Sequence, residues 1–132
     1  MNQRALTNIN PLVKIFTDHD VWEPSYTLKR NEFLKRAGEK ESHIYFILSG
    51  SLRVFYVDEL NDHSIRFAYK HNFITLLDSL ISKAPSSLSL QAIKKTEIKA
   101  VALHKIDELI TSNETFKQLW FDNLGNLVHQ QM

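Results

Sequence analysis

Apolar and polar residues alternate through the middle of the chain, and the apolar spacing changes to three and four at its two ends. A continuous apolar run, Ile44-Tyr-Phe-Ile-Leu48, stops at Ser49-Gly50. From 51 to 58 the period is two, with Leu52, Val54 and Tyr56 on one side and Arg53, Phe55 and Val57 on the other. Residues 64–70 alternate again and put Ile65, Phe67 and Tyr69 on one side, while 87–92 and 97–100 repeat the same period. Short period-two runs bounded by turn residues predict strands. Asn61-Asp62 predicts the hairpin turn between the first two alternating runs, because Asn tolerates the left-handed backbone such turns require. Two shorter runs, 26–30 and 33–36, predict strands on either side of an Asn31-Glu32 turn.

The ends read as helix. Leu12, Val13, Ile15 and Phe16 give residues 6–16 one apolar face, and Pro11 fits only near the first turn of such a helix. Asp18-His19-Asp20 reads as the polar turn that ends it. Residues 104–110 predict a short helix with Ile106, Leu109 and Ile110 apolar. Thr111-Ser-Asn-Glu114 has the spacing of a capping box. It introduces a longer helix over 114–129 whose apolar positions are Phe116, Leu119, Trp120, Leu124, Leu127 and Val128. The fold class that follows is mainly β with flanking helices. Several short strands separated by turn residues argue for a sandwich or barrel.

Composition narrows the function classes. A chain of 132 residues fits one domain, and 43% hydrophobic residues suffice for a core without metal or disulfide staples. With no cysteine there is no disulfide framework, thiolate zinc site or Cys nucleophile. Sixteen basic against fifteen acidic residues leave a net charge of +1, too balanced to argue for a nucleic-acid surface. Lys94, Lys95 and Lys99 form the densest basic cluster and read as a guarded strand edge. No apolar run approaches the roughly 20 residues of a membrane span. A cytoplasmic location is the expectation.

The order of these elements, with four stretches of sequence, resembles the sensor domain of the Crp/Fnr family of bacterial regulators. The stretches are Asn31-Glu-Phe-Leu-Lys-Arg-Ala-Gly-Glu39, His43-Ile-Tyr-Phe-Ile-Leu-Ser-Gly50, Leu52-Arg-Val-Phe-Tyr56 and Asn72-Phe-Ile74. The family carries a Gly-Glu turn after its second strand, matched by Gly38-Glu39. It also carries a Gly closing the third strand, matched by Gly50. Both are backbone signals, since Gly enters positive φ without steric cost. The resemblance implies one domain over 1–132: a helical lead (1–25), a β-roll (26–102) and C-terminal helices (103–132). The roll is a double-stranded β-helix, or jelly roll, followed by a long C-terminal dimerisation helix.

The resemblance also implies a phosphate-binding cassette over 72–92, with ligand-binding positions at Phe73, Ile74, Thr75, Leu76, Leu77, Ser86 and Ser87. In the family a Glu of the cassette holds the ribose hydroxyl, and an Arg pairs with the cyclic phosphate. Here Thr75-Leu76 replaces the Gly-Glu pair and Ser86 replaces the Arg, while Ser87 keeps a small polar residue. An Arg offers a charged bidentate fork and a Ser one uncharged donor. Losing such a contact costs about 2 kcal/mol or more. Cyclic AMP is therefore not expected to be the physiological effector, and no cofactor is expected beyond the cyclic nucleotide the family allows. Leu76, Leu77 and Leu80 read equally as core packing or as the lining of an apolar pocket.

In the family the long helix forms a parallel dimer interface. Phe116, Trp120, Leu124 and Leu127 supply the stripe for a homodimer. Base-contacting residues near the end of that helix correspond to Gln130 and Gln131. Family regulators continue into a winged helix-turn-helix that this sequence does not include, so no DNA binding is expected of this chain alone. The six histidines, His19, His43, His63, His71, His104 and His129, are scattered, so neither a cupin-like metal site nor an enzyme is expected. Two readings remain. One is a ligand-sensing regulatory domain with an unknown small-molecule effector. The other is a degenerate roll that serves dimerisation or protein contact only.

Overall fold

The computed structural model describes residues 11–131, with side chains through position 123. Among the described residues, eight strands form two four-stranded antiparallel sheets. The first has order β1-β8-β3-β6 and is built from Tyr26–Leu28, Thr96–Ala102, His43–Ser49 and Phe73–Ile74. The second has order β2-β7-β4-β5 and is built from Phe33–Lys35, Ser89–Ala92, Ser51–Asp58 and Asn61–Tyr69. Four helices flank them among the described residues: α1 (Pro11–Asp18), α2 (Leu77–Ser82), α3 (Leu103–Ser112) and α4 (Glu114–Gln131). This is the expected jelly roll with a long C-terminal helix. Helix α1 covers the C-terminal part of the expected span 6–16, whose first residues lie outside the described ones.

The continuous apolar run of β3 has a direct cause: both of its faces are buried. Tyr45 and Ile47 point into the roll with Leu52, Val54, Ile74, Leu76, Leu90 and Ile98. Ile44 and Phe46 point the other way, into a second core with Phe16, Phe73, Ile106, Phe116 and Trp120. Helices α1, α3 and α4 therefore close the outer face of the first sheet, and one strand joins the two cores.

Several local expectations are corrected. Strands β1 and β2 do flank a turn at Asn31, as expected, but go to different sheets, and Asn31 takes φ 68° at the corner. The β4–β5 turn is Glu59-Leu60, with Glu59 at φ 55°, and Asn61 already pairs with Asp58. A register shift between Val54 and Phe55 breaks the alternation of β4, so Phe55 is buried and Tyr56 exposed. Ile65, Phe67 and Tyr69 do share a face, but it is the outer one, and Ala68 packs inward. The long helix is capped by Asn113, whose Oδ1 accepts the Phe116 N–H at 2.9 Å. Thr111 lies inside α3, where its hydroxyl donates to the Asp107 carbonyl.

Candidate functional site

The cassette begins at β6 and turns into α2, a helix of six residues. Its apolar residues are divided between the two cores. Phe73, Leu77 and Leu80 enter the helical core, while Ile74 and Leu76 enter the roll. Thr75 is fully buried, and its hydroxyl donates to the His43 carbonyl at 2.7 Å. Leu76, Leu77 and Leu80 are thus packed in the two cores.

The return of the cassette meets Asp78, in the first turn of α2. The Ser86 hydroxyl lies 2.7 and 2.8 Å from the two Asp78 carboxylate oxygens, and the Ser87 N–H lies 3.3 Å from one of them. The Ser86 backbone donates to Glu39 O at 2.9 Å and its carbonyl accepts Gly38 N–H at 2.7 Å, so the Gly-Glu turn pins this corner. The Ser86 hydroxyl and the Ser87 N–H are thus satisfied by a carboxylate of the same chain. From β5, a guanidinium nitrogen of Arg66 donates to the Phe73 carbonyl at 3.3 Å, at the start of the cassette rather than at Ser86.

A second carboxylate, Glu41, sits 5% exposed beneath the cassette. Its Oε1 accepts the N–H groups of Ser42 and His43 at 3.1 Å each and the Tyr45 hydroxyl at 2.8 Å. Its Oε2 accepts the Leu76 N–H at 3.3 Å. The Glu41 N–H donates to Ser79 Oγ at 2.8 Å, and Ser79 donates onward to the Ala84 carbonyl. Where the family pattern places a Glu at the cassette turn, this chain has Leu76 and brings Glu41 to its backbone from the irregular segment before β3.

Burial raises the Glu41 carboxyl above its ordinary 4.5, with the Tyr45, His43 and Leu76 donors and the Lys35 charge pulling it back down. The sign of the pH dependence follows. The folded chain keeps this proton at pH values where the unfolded chain has released it, so that stabilising share is full below 4.5 and is lost as pH rises through the raised value. Urea unfolding of wild type and Glu41→Gln between about pH 4 and pH 7 is expected to show wild type losing stability relative to the variant as pH rises. A difference that grows in favour of wild type contradicts the assignment.

Beside Glu41 lies a cavity of about 200 Å³, lined by Glu23, Tyr26, Lys35, His43 and Tyr45. Leu34 and Ala100 supply its apolar wall. His43 Nε2 is 2.9 Å from Glu23 Oε2, and the His43 and Tyr45 rings stack at 6.2 Å. Lys35 Nζ donates to the Lys40 carbonyl at 3.2 Å. None of the expected cassette residues lines this cavity.

Sequence reasoning missed Asp78, Glu41 and the cavity. A carboxylate eight positions before Ser86 carries no periodic signal; only the loop closure of 83–87 brings it back. Phe116 and Trp120, expected at a dimer seam, are buried in this chain's own core, and Phe116 stacks on Trp120 at 6.2 Å. Leu124, Leu127 and Gln131 lie beyond the described side chains, whereas Phe121 is exposed. Among the described residues no group of three or more His, Asp or Glu is placed to hold a metal ion. No described helix is long and apolar enough to cross a membrane.

Residues 26–113 match the family model of the cyclic nucleotide-binding domain. No curated protein matches the chain significantly. Solved structures share the fold at low identity. The catabolite activator protein of Thermus thermophilus is 14% identical with a TM-score of 0.72, over 89% of this chain and 55% of that one. A cyclic nucleotide-binding domain from Methylobacillus flagellatus is 18% identical with a TM-score of 0.75, over 89% and 64%. The CO-dependent transcription factor CooA of Carboxydothermus hydrogenoformans, in its imidazole-bound form, is 12% identical with a TM-score of 0.63, over 98% and 54%. This chain therefore spans little more than half of the first and last of these.

Proposed function

Because the chain belongs to the cyclic nucleotide-binding domain family, with the fold of Crp/Fnr-type sensors, we propose that it is a ligand-sensing regulatory domain whose effector is not a cyclic nucleotide. The observation that carries this reading is the Asp78 carboxylate on the Ser86 hydroxyl and the Ser87 N–H. A cyclic phosphate at that corner meets a negative charge in place of a guanidinium. Two unit charges about 4 Å apart repel by about 1 kcal/mol in water and about 4 kcal/mol at the effective dielectric of a protein surface. Adding the lost Arg contact, about 2 kcal/mol, gives roughly 3–6 kcal/mol. A site of micromolar affinity is then weakened beyond a Kd of about 0.1 mM.

A non-nucleotide effector lies within the range of the fold, since one relative is a CO-dependent transcription factor. The cavity beside Tyr45 supports sensing over a purely structural role, because it leaves ligand-sized space that the cores do not fill. In this reading the domain is non-enzymatic and acts as a homodimer through α4, on which Phe121 is exposed. Effector binding would shift the two α4 helices against each other and so bias a downstream partner.

Calorimetric titration with cyclic AMP and cyclic GMP tests the effector claim. The expected result is no saturable heat below about 0.1 mM. Micromolar binding of either nucleotide removes it.

A further inference from the structure

We propose that the cavity between β1, β2 and β3 is the effector site and that it takes a small organic cation bearing an ammonium group. This deepens the ligand-sensing reading and rests on it. The volume, about 200 Å³, equals roughly seven waters of liquid and lies below the ~300–1,000 Å³ typical of drug-sized ligands. Its walls present the rings of Tyr26, Tyr45 and His43. Aromatic faces attract cations within about 6 Å of their centres.

The surrounding charges point the same way. Glu23 stands at the rim, with its side chain 46% exposed and one oxygen on His43. Glu41 lies directly behind Tyr45, on its hydroxyl. Lys35 is the opposing cation, and its ammonium is turned onto the Lys40 carbonyl. The hydroxyl of Tyr26 reports the balance: burial first, then Glu23, Glu41 and Glu32, push its pKa up to about 12. An added ammonium would sit between the Glu23 carboxylate and the tyrosine rings.

The site is also wired to the cassette. Tyr45 lines the cavity and donates to Glu41, and Glu41 accepts the Leu76 N–H and donates its own N–H to Ser79 on α2. Helix α2 touches α4. A ligand that displaces the Tyr45 hydroxyl thus pulls on the cassette through two hydrogen bonds, with no nucleotide in place.

Size-matched probes of opposite charge, phenethylamine and phenylacetate, test this by NMR titration of the full chain. Phenethylamine is expected to bind saturably, with shifts at Tyr26 and Tyr45. Glu23→Gln should weaken it about tenfold, the size of one charge-assisted contact. Lys35→Gln should tighten it by about threefold, by removing a like charge. Both positions are only partly buried, so unchanged melting curves will show that these variants fold. Preference for phenylacetate with loss on Lys35→Gln overturns the proposal, as does saturation by neither probe. A cyclic AMP arm separates the two claims: nucleotide binding there overturns the claim that the effector is not a cyclic nucleotide, whereas silence of all three ligands overturns only the cation site.

Discussion

Glu41→Ala is expected to destabilise the chain by about 4 kcal/mol, seen as a fall of roughly 15 °C in Tm. The size follows from what the side chain leaves behind. Three backbone N–H groups, of Ser42, His43 and Leu76, and the Tyr45 hydroxyl all end on its two oxygens. Leu76 is fully buried, so water cannot replace the acceptor for its N–H without opening the roll. Each buried donor left unsatisfied costs about 1–3 kcal/mol, and the Ser42 end, which is exposed, costs least. Glu41→Gln keeps an acceptor oxygen and should retain most of the stability. If Glu41→Ala unfolds within about 1 kcal/mol of wild type, the carboxylate is not the strut between β3 and the cassette.

Gly50→Ala is expected to be comparably severe, about 2–5 kcal/mol, by an unrelated mechanism. Gly50 takes φ 96° at the β3–β4 corner. A Cβ there would meet Lys95 O at 2.5 Å and Thr96 Cα at 2.6 Å, with Thr96 Oγ1 closer still. Two of these three atoms are backbone, so no side-chain rotation relieves the contact. Thr96 is itself committed, accepting the Ser51 N–H at 3.1 Å and donating to the Lys94 carbonyl at 2.7 Å. The corner must therefore move as a unit, at the cost of the β3–β8 register that begins at Ser49 and Glu97. Urea denaturation measures the loss. Gly38→Ala is the control: its Cβ would meet nothing within 4 Å, so only the strain of φ 98° applies, about 1–2 kcal/mol. Equal effects at the two glycines would refute the steric account of Gly50.

These two residues mark the limits of what the sequence made legible. Gly50 was readable because a glycine closing an apolar run has few alternative explanations, and the structure gives it the positive φ expected. The strands were readable for the same reason: burial of one or both faces writes a period directly into the residues. Glu41 was not readable. It lies in an irregular segment, where no period applies, and its partners come from 42 to 76 in the chain. Asp78 was hidden likewise, in a first helical turn where an acidic residue is ordinary. Resemblance proposed the cassette but gave only the residues it lacks, Glu at Leu76 and Arg at Ser86. It could not give the carboxylates that close the gap. The apolar stripe of α4 was ambiguous for a physical reason, since a core face and a partner face have the same spacing; the structure assigns Phe116 and Trp120 to the core.

The central claim is that the cassette's donors are held by Glu41 and Asp78 and are closed to a cyclic phosphate. The most direct measurement follows the backbone amide resonances of Leu76, Ser86 and Ser87 during titration with cyclic AMP. The account predicts that all three stay in place up to millimolar nucleotide, because their hydrogen-bonded surroundings are already complete. Saturating shifts at these amides in the micromolar range would show that the phosphate displaces Asp78, and would contradict the account.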